Sequence, residues 1–394
     1  MKTKINTKKI KLILSITIMM SITLSSLAQE FKPSGKVYGQ FFGDLYYKAS
    51  SDTTAGAFNK YGSGNSEFAN VKKNTTAFSF RRIYLGYQYN ISPKFTTRIL
   101  LESSDAIITS SGEKTAFVKL ADLEWKNLIP RASIFFGQTF TPAFPLSSEK
   151  TWNYRAVEKT ISDGQKLTNA VDLGIKVSGT IDTAGIFGYS FMVGNGRGAK
   201  PEDNGLQKFY GSLSAQLLKK KLLIEIYGDY EDVSAKYRKG YSSKMTMKGF
   251  IAYRSERLTA GIEVPYQIQK ASKINTDAVT GNRDTLDVAA FGFSFFAYGS
   301  LIKEKLNMFF RFDTYQADSD YKKGDNSRSY DENFMTLGFD YTPFKNMHII
   351  PNIYVTTYTD KREKPANYDK ATMAGSYYER SADVIPRLTY FFVF

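Results

Sequence analysis

Beyond residue 35 the chain is patterned with a period of two rather than 3.6. Phe95, Thr97, Ile99 and Leu101 alternate with Lys94, Thr96, Arg98 and Glu102, and Leu222, Ile224 and Ile226 alternate with Leu223, Glu225 and Tyr227. The same rhythm runs through Leu173, Ile175 and Val177, through Leu306, Met308, Phe310 and Phe312, and through Met335, Leu337, Phe339 and Tyr341. Successive side chains of a strand point to opposite faces, so each segment carries one apolar and one polar face. Lipid on one side and water on the other is the environment that such strands fit.

The connections order these segments. Short ones fall near Asn90 to Pro93, Asn127 to Pro130, Asp182 to Gly185, Lys219 to Lys221, Ser255 to Arg257, Gly299 to Lys303 and Pro343 to Asn346. Long ones, rich in Gly, Ser, Asn, Asp and Lys, fall near 49–75, 104–115, 140–170, 195–206, 231–245, 268–285, 316–332 and 359–376. Seven short and eight long connections alternate strictly and join sixteen strands. This predicts an all-β fold, a transmembrane antiparallel barrel with short turns at the end holding both termini and long loops at the other. The last segment, Leu388, Tyr390, Phe392 and Phe394, alternates and ends on an aromatic residue, resembling the assembly signal of Gram-negative outer-membrane proteins.

Composition agrees. Mean hydropathy is negative, yet 15% of residues are aromatic, a pairing that alternating strands produce because their two faces average out. Lys2, Lys4, Lys8, Lys9 and Lys11 precede an apolar run from Leu12 to Leu27 and a small-x-small site at Ser26-Leu27-Ala28. That is the layout of an export signal over residues 1–28, and the run falls short of the roughly 20 apolar residues a spanning helix needs. The barrel domain is then 29–394, with no linker and no residues left over for a plug domain. Removing the signal lowers the formal +15 by five lysines. The remaining positive charge fits anionic lipid, lipopolysaccharide and anionic solutes better than nucleic acid. No cysteine is present, which excludes disulfides, thiolate metal sites and cysteine nucleophiles; no metal or cofactor is expected.

Candidate chemistry concentrates in the third long connection, within Gly137 to Gly164. A barrel of about sixteen strands is too wide for side chains to fill, so a loop must narrow it. Lys150, Arg155, Lys159 and Lys166 are the candidate cations of that constriction, accompanied by Glu149, Glu158 and Asp163. The alternative is that these charges are solvated on an outward loop. Arg82, Arg98, Lys176, Arg311 and Arg387 stand opposite apolar outward positions and are expected to face the lumen. There they would pair with Glu102, Asp122, Glu124, Asp172, Glu225 or Asp313, or line the path of ions. Trp125, Trp152, Tyr47, Tyr87, Tyr89, Tyr227 and Tyr390 are expected in aromatic girdles. His348, the single histidine, follows a short turn, which is the wrong end for a rim hydrolase. VGNGRG (Val193 to Gly198) has a phosphate-cradling spacing, but no helix follows, so it reads as a turn.

FRRIYLGYQYN (Phe80 to Asn90), GQTFTPAF (Gly137 to Phe144), VDLGIKVSGT (Val171 to Thr180), VGNGRG and FFRFDTY (Phe309 to Tyr315) resemble, in order, landmarks of the phosphate-selective porin O/P family. The resemblance implies a sixteen-stranded barrel, usually trimeric, with its third loop folded inward and anions, in some members phosphate, as solutes. It also implies an arginine ladder, which has no residue-by-residue counterpart in this chain. The expected function is passive diffusion of small solutes, favouring anions, with an occluded barrel serving as a structural or assembly component as the alternative.

Overall fold

The computed structural model describes residues 31–51, 68, 71–233, 242–276, 283–320, 330–361, 366 and 381–394. The export signal over 1–28 lies outside them. The strands are β1 (Ser34–Tyr47), β2 (Thr76–Asn90), β3 (Phe95–Ile108), β4 (Lys114–Lys126), β5 (Ala132–Phe140), β6 (Val171–Thr180), β7 (Phe187–Gly194) and β8 (Lys208–Leu217). They continue as β9 (Leu222–Val233), β10 (Ser242–Arg254), β11 (Leu258–Thr276), β12 (Arg283–Ile302), β13 (Leu306–Gln316), β14 (Tyr330–Phe344), β15 (Met347–Asp360) and β16 (Ser381–Val393). Each pairs with its sequence neighbour, and β1 pairs antiparallel with β16, closing the barrel. The final residue locks the seam, since Phe394 and Gly39 exchange two backbone hydrogen bonds of 3.0 Å. Closure leaves no strand edge unpaired, which is what a sheet needs to cross lipid. No helix among the described residues is long and apolar enough to cross a membrane.

The period-two pattern sorts the faces as expected. Ile99, Leu173, Ile226, Leu337 and Phe339 are exposed on the outside, while Asp122, Glu225, Lys248 and Arg311 are buried inside. Among the register shifts of the described strands, two bulges turn a cation inward. On β2, the register passes from Phe42↔Arg82 to Asp44↔Ser79, so Gly43 faces both Phe80 and Arg81. On β4, Leu100↔Leu120 is followed by Leu101↔Val118, which leaves Lys119 as the extra residue. A bulge re-aims one side chain, and both Arg81 and Lys119 turn inward beside a neighbour that already does. Strict alternation places Arg81 outside, and the β4 bulge explains why both faces of Ala116 to Lys126 look mixed.

Strands run further into the long-loop side than composition suggests. The connection expected near 104–115 shrinks to 109–113, because β3 continues to Ile108. The ladder bonds use the backbone alone, so polar side chains beyond the lipid band do not end a strand. Two girdle assignments are corrected as well. Trp152 and Tyr227 are buried inside the barrel, Tyr227 donating to Asp229 at 2.5 Å, whereas Trp125 packs on Phe95 with ring centroids 5.2 Å apart.

The inward loop and the lumen

Residues 141–170 fold into the lumen and carry two short helices, α1 (Ser148–Trp152) and α2 (Ile161–Gly164). An apolar segment inside a polar lumen needs an apolar footprint, and the wall supplies one. Trp152, Tyr154 and Val157 pack with Leu223, Phe250, Phe296, Phe309 and Ile350. Ile161 and Leu167 pack with Ala290, Tyr315 and Tyr358, and Phe144 with Met192 and Tyr210. These inward apolar residues are the interruptions of the polar-in pattern, and they mark where the loop rests.

The loop has no ladder partner, so its carbonyls need other donors. Wall cations provide them. Arg81 donates to Ala156 O at 2.7 Å and Val157 O at 2.9 Å. Arg387 reaches Val157 O at 3.1 Å, and Lys176 reaches Phe140 O at 2.7 Å. Arg311 donates to Lys159 O and Lys248 to Ala143 O. Side chains add further ties, with Ser162 donating to Glu263 and Gln165 to Glu332 at 3.0 Å. A buried charge is tolerated only when paired and hydrogen-bonded, and for these cations other than Lys176 a carboxylate completes the set. Arg81 lies 3.4 Å from Asp44, Arg82 3.2 Å from Glu102 and Lys248 2.8 Å from Glu225. Arg98 forms a two-pronged bond to Asp122 at 2.9 and 2.6 Å, and Arg311 pairs with Asp313.

Arg82, Arg98, Lys176 and Arg311 therefore all face inward, but each is engaged, Lys176 with a carbonyl and over the Phe135 ring at 4.3 Å. The four loop cations separate. Arg155 is clasped by Glu149 at 3.0 Å and Asp163 at 3.1 Å. Burial pushes the Glu149 carboxyl above its ordinary value, against the pull of Arg155. Burial would raise Asp163 too, but Arg155 and then Lys159 hold it below its ordinary value. Lys150 is exposed, makes no ion pair among the described residues and borders a cavity of about 440 Å³ with Glu149, Asn153 and Arg155. Lys159 is half-buried, and Lys166 is exposed beyond α2 with a φ of 53°. The structure does not bring Lys166 to the cavities that Lys150 and Arg155 border.

The cations that pattern reading missed are Lys48, Arg81, Lys119, Lys208 and Lys248, all turned inward. Lys48 pairs with Asp383 at 3.1 Å and Lys208 with Asp229 at 3.2 Å. Lys248 lies at alternation distance from Thr246 and was legible. Arg81 and Lys119 were not, because bulges place them.

VGNGRG is a turn with a specific job. Gly196 and Gly198 have φ of 75° and 66°, and their amides donate to Asp172 at 2.7 and 3.1 Å. The anion held by these glycines is the protein's own carboxylate. His348 is not isolated: Nδ1 lies 2.8 Å from Asp340 and 3.3 Å from Thr342, and its ring stacks on Phe391.

A closed sixteen-stranded barrel crossed by its third long loop has the architecture of outer-membrane porins. No protein-family model matches the chain, and no curated protein matches it in sequence. Solved structures do match in fold. The outer-membrane channel DcaP of Acinetobacter baumannii superposes with a TM-score of 0.62 at 11% identity, covering 93% of this chain and 99% of that one. An anion-selective porin from Comamonas acidovorans gives 0.56 at 10% identity over 92% and 100%. OmpF of Salmonella typhi, in complex with daunomycin, gives 0.55 at 11% over 91% and 97%.

Proposed function

We propose that the protein is a porin of a Gram-negative outer membrane, passing small solutes by diffusion and weakly favouring anions. The observation that carries this is the folded-in third loop, which narrows a closed, lipid-facing barrel and leaves cavities bordered by Lys150 and Arg155. A constriction of low dielectric focuses the field of such charges. The preference is weak because Glu149 and Asp163 face Arg155, and the engaged state of Arg82, Arg98 and Arg311 argues against a phosphate-selective ladder. Residues 1–28 serve as the export signal, so the mature protein starts at Gln29, and N-terminal sequencing tests this. A homotrimer embedded among lipid and lipopolysaccharide is the expected assembly, with no cofactor and no catalytic role.

Single-channel recording in planar bilayers, with reversal potentials in asymmetric salt, tests the reading. Cation preference would refute the selectivity, and absence of channels would refute the function. The second reading, an occluded barrel with a structural role, draws support from the ties that hold the loop to strands on all sides of the lumen. Liposome swelling with small sugars separates the two, since an occluded barrel gives none.

A further inference from the structure

Two cavities adjoin beneath the inward loop, of about 260 and 440 Å³, and share Gln40, Glu149, Arg155 and Val393 as lining. The larger lies within the size range of small-molecule sites. The smaller is a hollow walled by Tyr38, Tyr84, Leu100 and Phe140. Lys119 lines it as well, 5.0 Å from the Tyr84 ring centroid and paired with Glu102. The larger cavity is bordered by Asp340 and His348 as well, and Glu149 and Arg155 are the charged residues that stand where the two cavities meet. There Arg155 is paired through Nε with Glu149 and through Nη2 with Asp163. The Arg155 and Glu149 side chains keep 17% and 22% of their exposure, so both are open to a solute. Lys150 and Asn153 border the larger cavity beside them.

We infer that this mouth and hollow form a binding site for a free amino acid with an aromatic side chain, an inference that rests on the porin reading. A zwitterion matches the mouth because cations and a carboxylate stand side by side. Its carboxylate would meet Arg155 and Lys150, its ammonium would meet Glu149, and its ring would enter the aromatic hollow. A simple anion faces repulsion from Glu149, and a simple cation from Arg155 and Lys150. A sugar leaves the charged mouth without counter-charges and the hollow without an apolar group to fill it. The protein's own aromatic rings offer edge and face contacts that favour a ring over an alkyl chain.

The test is calorimetric titration of the full-length mature barrel in detergent with phenylalanine, serine, 3-phenylpropionate and phenethylamine, run beside bilayer conductance on the same preparation. Phenylalanine should bind roughly tenfold or more tightly than serine, as burial of a ring requires, and more tightly than either singly charged analogue. Glu149→Gln should erase the advantage over 3-phenylpropionate, and Leu100→Trp, which fills the hollow, should erase the advantage over serine. Equal binding of serine, or of either singly charged analogue, overturns the inference, as does the absence of any binding. Conductance without the phenylalanine preference sinks the site and spares the porin reading. The preference without conductance sinks the porin reading and leaves the site standing.

Discussion

Arg387, on the last strand, donates from Nη2 to the carbonyl of Val157 at 3.1 Å, joining positions 230 residues apart. Arg81, on the second strand, donates to the same carbonyl at 2.9 Å. Two cations on neighbouring parts of the wall thus hold one peptide of the inward loop. Their charge is directed at the loop backbone and at Asp44, which lies 3.4 Å from Arg81 and 3.5 Å from Arg387. Cations facing a lumen are in this case structural ties before they are attractors of anions.

Removing both ties should free the loop. A hydrogen bond from a charged group contributes about 1.5–3 kcal/mol, so the double variant Arg81→Gln with Arg387→Gln, which removes three such bonds, should raise the population of displaced loop by roughly a thousandfold or more. Single-channel traces should show higher mean conductance and frequent transitions. Traces identical to those of the unmodified protein would mean that the loop is held by packing alone.

Packing has its own test. Trp152 lies against Phe296 and Phe309, with ring centroids 5.3 and 6.1 Å away, and its indole N–H donates to Glu158 O at 2.8 Å. Trp152→Ala should destabilise the folded-in loop by about 3–5 kcal/mol. The barrel ladder is independent of this contact, so resistance to SDS at room temperature should persist while conductance rises. Loss of the folded band on the gel would show instead that loop and barrel form one cooperative unit.

Selectivity should depend on which cations border the cavities. Arg155→Gln leaves Glu149 and Asp163 facing the lumen without their counter-charge, so the reversal potential should move strongly toward cations. Lys150→Gln should move it in the same direction by less. Arg98→Gln should move it less than either, because Arg98 and its partner Asp122, 2.6 Å away, lie on the wall outside both cavities. A larger effect at Arg98 than at Lys150 would relocate the selective region to the wall.

Acidity should strengthen the anion preference. Burial raises Glu149 above its ordinary 4.5, with Arg155, Lys119 and Arg82 pulling it down and Asp163 pushing it up. Asp163 stays ionised in the same range because it is held below its ordinary 3.8. As the pH falls, Glu149 therefore takes up its proton before Asp163 does and releases Arg155 from one of its two carboxylates. The reversal potential should shift toward anions as the pH falls, and Glu149→Gln should flatten that dependence. A shift toward cations on acidification would contradict the assignment.

The barrel was legible along the chain because its two governing rules are local. Period two sorts Ile99 from Arg98 without reference to any other strand, and turn composition counts the hairpins. The site was legible only as far as those rules reach. Arg82, Arg98, Lys176 and Arg311 could be placed inside by parity, but their partners could not all be named. Arg311 meets Lys159 O across 152 residues, and no periodicity encodes that. Trp152 carried an aromatic residue's ordinary membrane expectation and proved to be the anchor of the loop, because the wall residues of its cluster come from five strands distant in sequence, β9, β10, β12, β13 and β15.

The amino-acid sequence by itself determined the sixteen-stranded alternation, the antiparallel order, the lipid-facing surface and the position of the long third loop. All of these follow from side-chain parity and from residues that end strands. The inward course of that loop was expected as well, and tertiary structure alone decided which wall residues hold it, that bulges bring Arg81 and Lys119 to face the lumen, and that most inward cations are occupied. Those outcomes depend on burying charge, which costs several kcal/mol unless a partner is at hand, and the partners are assembled only when the barrel closes.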